Sequence, residues 1–262
     1  MDDLKQKRLF LLDMDGTIYL DDDLFDGTLD FLEYVRGIGG TYLFLTNNSS
    51  KSTEKYVEKL QRLGIPATAE DFLTSVHATV LYLRKQGFRR IYALGTEAFR
   101  QQLRDAELPV TDQLEEDIDC LCMGFDTELT FRKLEDACIL LNRGVAYVAT
   151  NPDLVCPTRY GFVPDCGSVS GMLKNATGRV PLFIGKPQSA MVELALEKTG
   201  CRKEDAVIVG DRLYTDIACG VNAGISSVFV LSGEGTLEDL KTSAAQPTFV
   251  VQNIRALLNE LK

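Results

Sequence analysis

Leu9-Phe10-Leu11-Leu12-Asp13-Met14-Asp15-Gly16-Thr17 is the stretch that decides the fold. Four consecutive apolar residues suit a strand buried on both faces of a parallel sheet. Two carboxylates spaced by one residue follow at once, and then a glycine. In open α/β sheets, chemistry collects in the crevice beyond the carboxyl ends of the strands. Asp13 and Asp15 fall there and not among ordinary surface charges. A second junction of the same kind lies far downstream: Ala206-Val207-Ile208-Val209-Gly210-Asp211, with Asp216 beyond it. Carboxylates gathered at one sheet edge repel each other strongly without a cation. Oxygen ligands of this kind suit Mg2+, so the sequence predicts a magnesium-dependent enzyme that handles phosphate.

Outward from these junctions, strands and helices alternate almost throughout, the pattern of a parallel α/β sheet. Thr28 to Ile38 carries apolar residues at helical spacing and is stopped by Gly39 and Gly40. Tyr42 to Leu45 reads as a strand ending in Thr46-Asn47-Asn48-Ser49, and Lys51 to Leu63 as a helix closed by Gly64. Thr68 and Asp71 form a capping-box pattern that predicts a helix from Asp71 to Lys85. The strands Ile91 to Leu94, Ile118 to Met123 and Val145 to Ala149 alternate with the helices Glu97 to Ala106 and Phe131 to Asn142. An irregular stretch rich in proline and glycine, Asn151 to Gly167, comes next, with Ser168 as the cap of a short helix reaching Ala176. The rhythm then resumes with the strand Leu182 to Ile184, the helix Ser189 to Thr199, the strand Ala206 to Val209, the helix Tyr214 to Asn222 and the strand Ser227 to Leu231.

The acidic junctions lie only in the first and last thirds of the chain. The simplest architecture is therefore a core domain made from both ends, with a second α/β domain inserted. Its expected extents are residues 1–80 and 180–262 for the core and 81–179 for the insertion.

Composition narrows the function classes. The 262 residues are 45% hydrophobic and 25% charged, ordinary values for a soluble globular protein. No apolar run reaches membrane-spanning length, and the polar start Met1-Asp2-Asp3-Leu4-Lys5 resembles no signal peptide. The seven cysteines include no Cys-x-x-Cys pair and read as reduced thiols of a cytoplasmic protein. A net charge of −10 with no basic tract argues against nucleic acid or an anionic membrane as partner. An anionic substrate remains compatible, since a divalent metal and one lysine reverse the field locally. The single histidine, His77, reads as a helix-surface or boundary residue.

Four junctions carry the candidate chemistry. Asp13 is placed as a nucleophile, since a carboxylate can accept a phosphoryl group. Asp15 can protonate the leaving oxygen and later deprotonate the attacking water. Thr46 offers a hydroxyl at the end of a neighbouring strand, and amides near Asn47 can hold phosphate oxygens. Lys186, in Phe183-Ile184-Gly185-Lys186-Pro187, supplies a cation against charge on the transferred group. Asp211 completes a Mg2+ shell, and Asp216 orients a metal-bound water or Lys186. Taken singly, each motif has a plain reading: a turn, a helix cap, an exposed lysine, a charged helix start. Their order and shared placement at strand ends favour the chemical one.

These motifs, Asp13-Met14-Asp15-Gly16-Thr17, Thr46-Asn47-Asn48, Lys186-Pro187 and Gly210-Asp211-Arg212-Leu213-Tyr214-Thr215-Asp216, resemble those of the haloacid dehalogenase superfamily of phosphohydrolases. The resemblance spans nearly the whole chain. It implies a doubly wound parallel-sheet (Rossmann-like) α/β core with an inserted α/β cap domain. It implies Asp13 as nucleophile and Asp15 as acid and base. It also implies Mg2+ held by the Asp13 carboxylate, the Asp15 backbone carbonyl and Asp211, with Asp216 as ligand or support. The stretch from Asp15 to Thr46 is too short for a folded cap, whereas that from Thr46 to Lys186 has room for one. This spacing is similar to that of subclass IIA, the NagD and p-nitrophenylphosphatase branch, as are Thr46-Asn47-Asn48-Ser49 and Thr150-Asn151-Pro152-Asp153. Within the insertion, Asn151 and Asp153 are the candidates for reading the substrate.

The resemblance implies a Mg2+-dependent phosphomonoesterase acting on a small phosphorylated metabolite, with nucleotides, sugar phosphates, phosphoglycolate and pyridoxal phosphate among the substrates of the branch. Caps of this branch can form homodimers, although no feature of the sequence marks such an interface. Two alternatives stand beside this reading. A phosphotransferase or phosphomutase of the same superfamily keeps the second aspartate, but usually carries its cap between the first two motifs. A receiver-like phospho-acceptor module lacks that aspartate and needs about half this length.

Overall fold

The structure, a computed structural model, describes residues 2–158 and 161–262. Packing divides the chain into two units. Met1–Thr46, Thr53–Leu73 and Lys186–Lys262 form the first, and Asn47–Ser52 with Thr74–Gly185 form the second.

The first unit is built on a six-stranded sheet in the order Phe249–Val251, Ser226–Val230, Ala206–Gly210, Leu9–Leu12, Thr41–Thr46, Phe72–Thr74. Leu9–Leu12 is central and fully buried, as its four apolar residues require. It pairs in parallel on both sides, with Leu12 opposite Val209 in one neighbour and Phe44 in the other. That register brings Asp13, Thr46 and Asp211 to one end of three adjacent strands. Helices on the two faces close the α/β layers. The core joins Phe10, Phe44 and Val209 from the sheet to Phe31 and to Leu257, Leu258 and Leu261 of the C-terminal helix Ile254–Leu261. Phe10 meets Phe31 edge-on, their ring centroids 5.5 Å apart. Burial of each such side chain contributes about 1.5–3 kcal/mol.

The second unit carries its own five-stranded parallel sheet, in the order Leu182–Phe183, Ala146–Ala149, Cys120–Met123, Ile91–Leu94, Val110–Thr111. Thr74, Thr96 and Thr130 cap its helices Ser75–Gln86, Glu97–Asp105 and Phe131–Asn142, each hydroxyl accepting from a backbone amide of the first turn. The architecture is therefore the expected parallel α/β fold, with Rossmann-like layering in the core.

Several local expectations are corrected. The Thr68–Asp71 capping box forms, but closes only one short turn, Ala69–Asp71. Phe72–Thr74, aromatic and β-branched and wholly buried, adds a strand before the helix begins at Ser75. Asn151 to Gly167 is not wholly irregular, since Val155–Thr158 and Gly161–Pro164 pair as an antiparallel hairpin. Asp165, not Ser168, caps the helix that follows, Cys166–Thr177. His77 sits in the first turn of its helix, where its Nδ1 accepts the Thr74 amide at 3.2 Å. None of the seven cysteines is bonded to another. Among the described residues, no helix is long and apolar enough to cross a membrane.

Candidate active site

At the carboxyl end of the central strand, the amide of Asp13 still donates to Val209 O at 2.9 Å, so the aspartate leaves the sheet in a fixed direction. Lys186 enters the same place from the start of the last core segment and is only 2% exposed. Its Nζ donates to Asp13 Oδ1 at 2.5 Å, to Asp216 Oδ1 at 2.6 Å and to Leu45 O at 3.3 Å. A buried ammonium is strongly disfavoured unless paired, and here two carboxylates flank it. Burial alone would lower the Lys186 pKa. Asp13 and Asp216 outweigh that and raise it, so the lysine stays charged.

Asp216 reaches this position through a local departure from the regular helix expected over Tyr214 to Asn222. Leu213–Ile217 forms one wide turn, in which the Ile217 amide bonds Arg212 O at 3.1 Å, and the α-helix proper runs only over Ala218–Ala223. Such widened turns accompany functional sites. This one folds Asp216, wholly buried, back beneath the strand end, where its Oδ2 accepts the Arg212 amide at 3.1 Å.

Asp211 follows the neighbouring strand and is held by the loop Ser232–Gly235. The Glu234 amide donates to its Oδ2 at 2.6 Å, and the Gly235 amide to its backbone oxygen at 3.0 Å. Gly233 lies so close that any β-carbon there would overlap the Asp211 carboxylate. Gly16, at φ +86°, adopts a left-handed conformation and has the same carboxylate against its face, so no side chain fits there either. Ser232 Oγ donates to Gly16 O at 2.7 Å and ties the two loops together. The strand-end rule that singled out Asp13 and Asp211 applies equally to Ser232–Gly235, which the sequence reading passed over.

Asp13, Asp211 and Asp216 each offer a carboxylate oxygen within 4.8 Å of the others. Burial, the charge of Asp216 and then that of Asp211 push the Asp13 carboxyl well up, against the pull of Lys186. Burial, and next the charge of Asp216, push Asp211 up to about 7. Asp211 Oδ1 is buried with no hydrogen-bond partner. Three carboxylates share one lysine, and an oxygen of one of them, Asp211 Oδ1, has no partner, so the acceptor set is short of positive charge. That set fits a hard divalent cation.

Asp15 lies on the turn after Asp13, its side chain 44% exposed. Its Oδ2 accepts from the Tyr19 hydroxyl at 3.4 Å, and its Oδ1 lies 3.8 Å from Lys59 Nζ. Thr46 is buried at the end of the strand beside Asp13. The structure thus brings Asp13, Asp15, Thr46, Lys186, Asp211 and Asp216 together at one edge of the first unit. Tyr19 and Lys59 complete the surroundings of Asp15. No motif in the sequence marks them.

Asn47, Asn151 and Asp153 form a separate cluster within the second unit, all buried. Asn151 Nδ2 donates to Asn47 O at 2.8 Å, and Asn47 Nδ2 to Asp153 Oδ1 at 3.1 Å. The Asp153 amide closes an Asx turn on Asn151 Oδ1 at 3.0 Å. Ser75 Oγ also donates to Asn47 O, at 2.7 Å, and the Gly185 amide bonds Thr150 O at 2.8 Å. Thr150–Asp153 therefore bonds Asn47 and Gly185 directly, and Asn47 in turn bonds Ser75.

Comparison with known proteins gives the same picture. Residues 10–109 match the family described as haloacid dehalogenase-like hydrolase, and residues 183–257 a family described as HAD-hydrolase-like. An acid sugar phosphatase of Staphylococcus haemolyticus is 34% identical over 260 residues, covering 99% of this chain and 98% of its own. The crystal structure of a 4-nitrophenylphosphatase from Thermotoga maritima superposes with a TM-score of 0.93 at 41% identity, over 99% of both chains. A glycerol phosphate phosphatase from Mycobacterium tuberculosis, solved in complex with magnesium, gives a TM-score of 0.90 at 31% identity, over 97% of this chain and 78% of the other.

Proposed function

The chain belongs to the haloacid dehalogenase-like hydrolases, in the NagD and p-nitrophenylphosphatase branch, and is a phosphomonoesterase; we propose that it works through an aspartyl phosphate on Asp13, with Mg2+, on a small sugar or polyol phosphate. The observation that carries the mechanism is Lys186 held between Asp13 and Asp216 beside the unpartnered Asp211 oxygen.

In this reading an oxygen of the Asp13 carboxylate attacks phosphorus, and the bond from phosphorus to the ester oxygen breaks. Asp15, on the turn beyond Asp13 with its side chain partly open to solvent, gives its proton to the departing oxygen. Water then attacks the aspartyl phosphate, Asp15 takes back a proton, and inorganic phosphate leaves with the Asp13 carboxylate restored. Lys186 fixes the direction of Asp13 and offsets charge on the phosphoryl oxygens. Asp216 holds Lys186 in place. Thr46, and Asn47 after it in the chain, are the proposed phosphate ligands. Asp13, Asp211 and the Asp15 backbone carbonyl would hold the cation, with Asp216 as an added ligand or as support. When bound, the cation neutralises the crowded carboxylates and the developing charge on the transferred group.

The sugar or polyol phosphate is proposed from the relatives, which include an acid sugar phosphatase and a glycerol phosphate phosphatase. Asn151 and Asp153 were candidates for reading the organic part of the substrate. Asn151 donates to Asn47 O and accepts the Asp153 amide, and Asp153 Oδ1 accepts from Asn47. The role we propose for them is to hold Asn47 in place.

The test is turnover of p-nitrophenyl phosphate and of a panel of sugar and polyol phosphates with Mg2+, repeated after chelation. Hydrolysis that disappears with chelator and returns with Mg2+ is the expected result. Undiminished activity of fully metal-stripped protein would refute the metal assignment.

A further inference from the structure

The mechanism above leaves one basic group beside the catalytic carboxylates without a task. Lys59 lies on the helix Thr53–Arg62 with its side chain only 19% exposed. Its ammonium sits 3.7 Å from the centroid of the Tyr19 ring and 3.8 Å from Asp15 Oδ1. Tyr19 is completely buried, and its hydroxyl reaches the other Asp15 oxygen, Oδ2, at 3.4 Å. The ring is fixed by the turn that carries Asp15, because the Gly16 amide donates to Tyr19 O at 2.8 Å and Asp15 bridges to Tyr19. One residue thus holds each oxygen of a carboxylate that is otherwise on the open side of its turn.

A purely structural role would have Lys59 pin the Tyr19–Leu24 hairpin to the helix. Arg62, one turn later, already does this from outside. It pairs with Asp22 at 2.9 Å, both side chains being largely exposed, at 64% and 74%. Lys59 does something different. Its ammonium lies over an aromatic face, which attracts a cation and limits where it can go, and from there it faces Asp15. Proton transfer requires the donor to be held near a productive geometry, and small displacements reduce the rate steeply.

We propose that Lys59, steadied by Tyr19, is a positioning residue for Asp15 that keeps its carboxyl directed at the leaving oxygen. The proposal rests on the reading of Asp15 as proton donor, and it makes a prediction specific to leaving groups. An alkyl phosphate releases a strongly basic alkoxide and needs that proton. A nitrophenolate departs with little help.

The experiment compares kcat/KM for glycerol phosphate, or for whichever alkyl phosphate the enzyme hydrolyses best, with that for p-nitrophenyl phosphate. This parameter reports steps up to release of the first product and is blind to later hydrolysis of the aspartyl phosphate. Lys59→Met should lower kcat/KM for the alkyl ester roughly tenfold more than for the nitrophenyl ester. Lys59→Arg should restore most of the ratio. Tyr19→Phe, which removes one hydroxyl from an intact ring, should shift the ratio in the same direction and serves if Lys59→Met folds poorly. Equal losses on both esters in folded variants, or no loss on either, would overturn the proposal while leaving the phosphatase reading intact. A wild-type enzyme that splits neither ester would overturn that reading and this one with it.

Discussion

A lysine 2% exposed between two carboxylates exists in the fold only as part of that group. Replacing Lys186 by methionine should leave Asp13 and Asp216 facing each other with no cation, and destabilise the metal-free protein by about 3–5 kcal/mol, as breaking buried pairs does; urea denaturation measures it. Asp211 behaves in the opposite way. Burial and the charge of Asp216 oppose its ionisation, so its negative charge strains the metal-free fold. Asparagine keeps an oxygen to accept the Glu234 amide and removes that charge. Asp211→Asn should therefore raise the melting temperature in chelator, by roughly 2–4 °C for each kcal/mol of relieved repulsion, and abolish most turnover. A variant that melts below wild type under these conditions would show that Asp211 is not under electrostatic strain. Asp13 and Asp211 stand out in the sequence because each follows an apolar run at a strand end. Tyr19 and Lys59 do not, since a tyrosine in a short hairpin and a lysine on an amphipathic helix look the same whether or not they meet an aspartate.

At the scale of elements, regular periodicity was readable and local overrides were not. Phe131–Asn142 forms as the spacing predicts. Leu213–Ile217 does not, because the Asp216 carboxylate is drawn back to the Arg212 amide and to Lys186, and the turn widens to allow it. Phe72–Thr74 is a strand because its burial at the sheet edge outweighs the capping signal before it. The segment after Leu231 offered no pattern that was read as structure, yet it supplies the Asp211-binding loop, the strand Phe249–Val251 and the core-packing helix Ile254–Leu261. The loop Thr150–Asp153 was read from its polar residues as facing substrate. In the structure Asn151 donates to Asn47 O, and Asp153 Oδ1 accepts from Asn47. Asn151→Ala removes a donor to Asn47 O and the acceptor of the Asp153 amide. It should lower kcat/KM by a similar factor for every substrate in a panel, since the role proposed for Asn47 is to bind the phosphate common to all. Factors that differ widely between substrates would return Asn151 to substrate reading.

At the scale of the whole molecule, the unit formed from both ends of the chain holds every proposed catalytic side chain, and the inserted unit is a second parallel α/β fold. The sequence suggests such a division because acidic junctions recur only in its outer thirds. It does not suggest the substrate, because the catalytic residues address phosphate and carry nothing specific to the organic group. The central claim is that Asp13 becomes phosphorylated while Asp15 moves protons. It is tested most directly by mixing Asp15→Asn enzyme with p-nitrophenyl phosphate and Mg2+, quenching in acid, and locating phosphate by peptide mass spectrometry. The nitrophenyl ester needs little proton donation, whereas hydrolysis of the aspartyl phosphate needs the missing base. A stoichiometric burst of nitrophenolate that then stalls, with the phosphoryl group on Asp13, is the predicted result. Continuous turnover at the wild-type rate, or phosphate on any other residue, would contradict it.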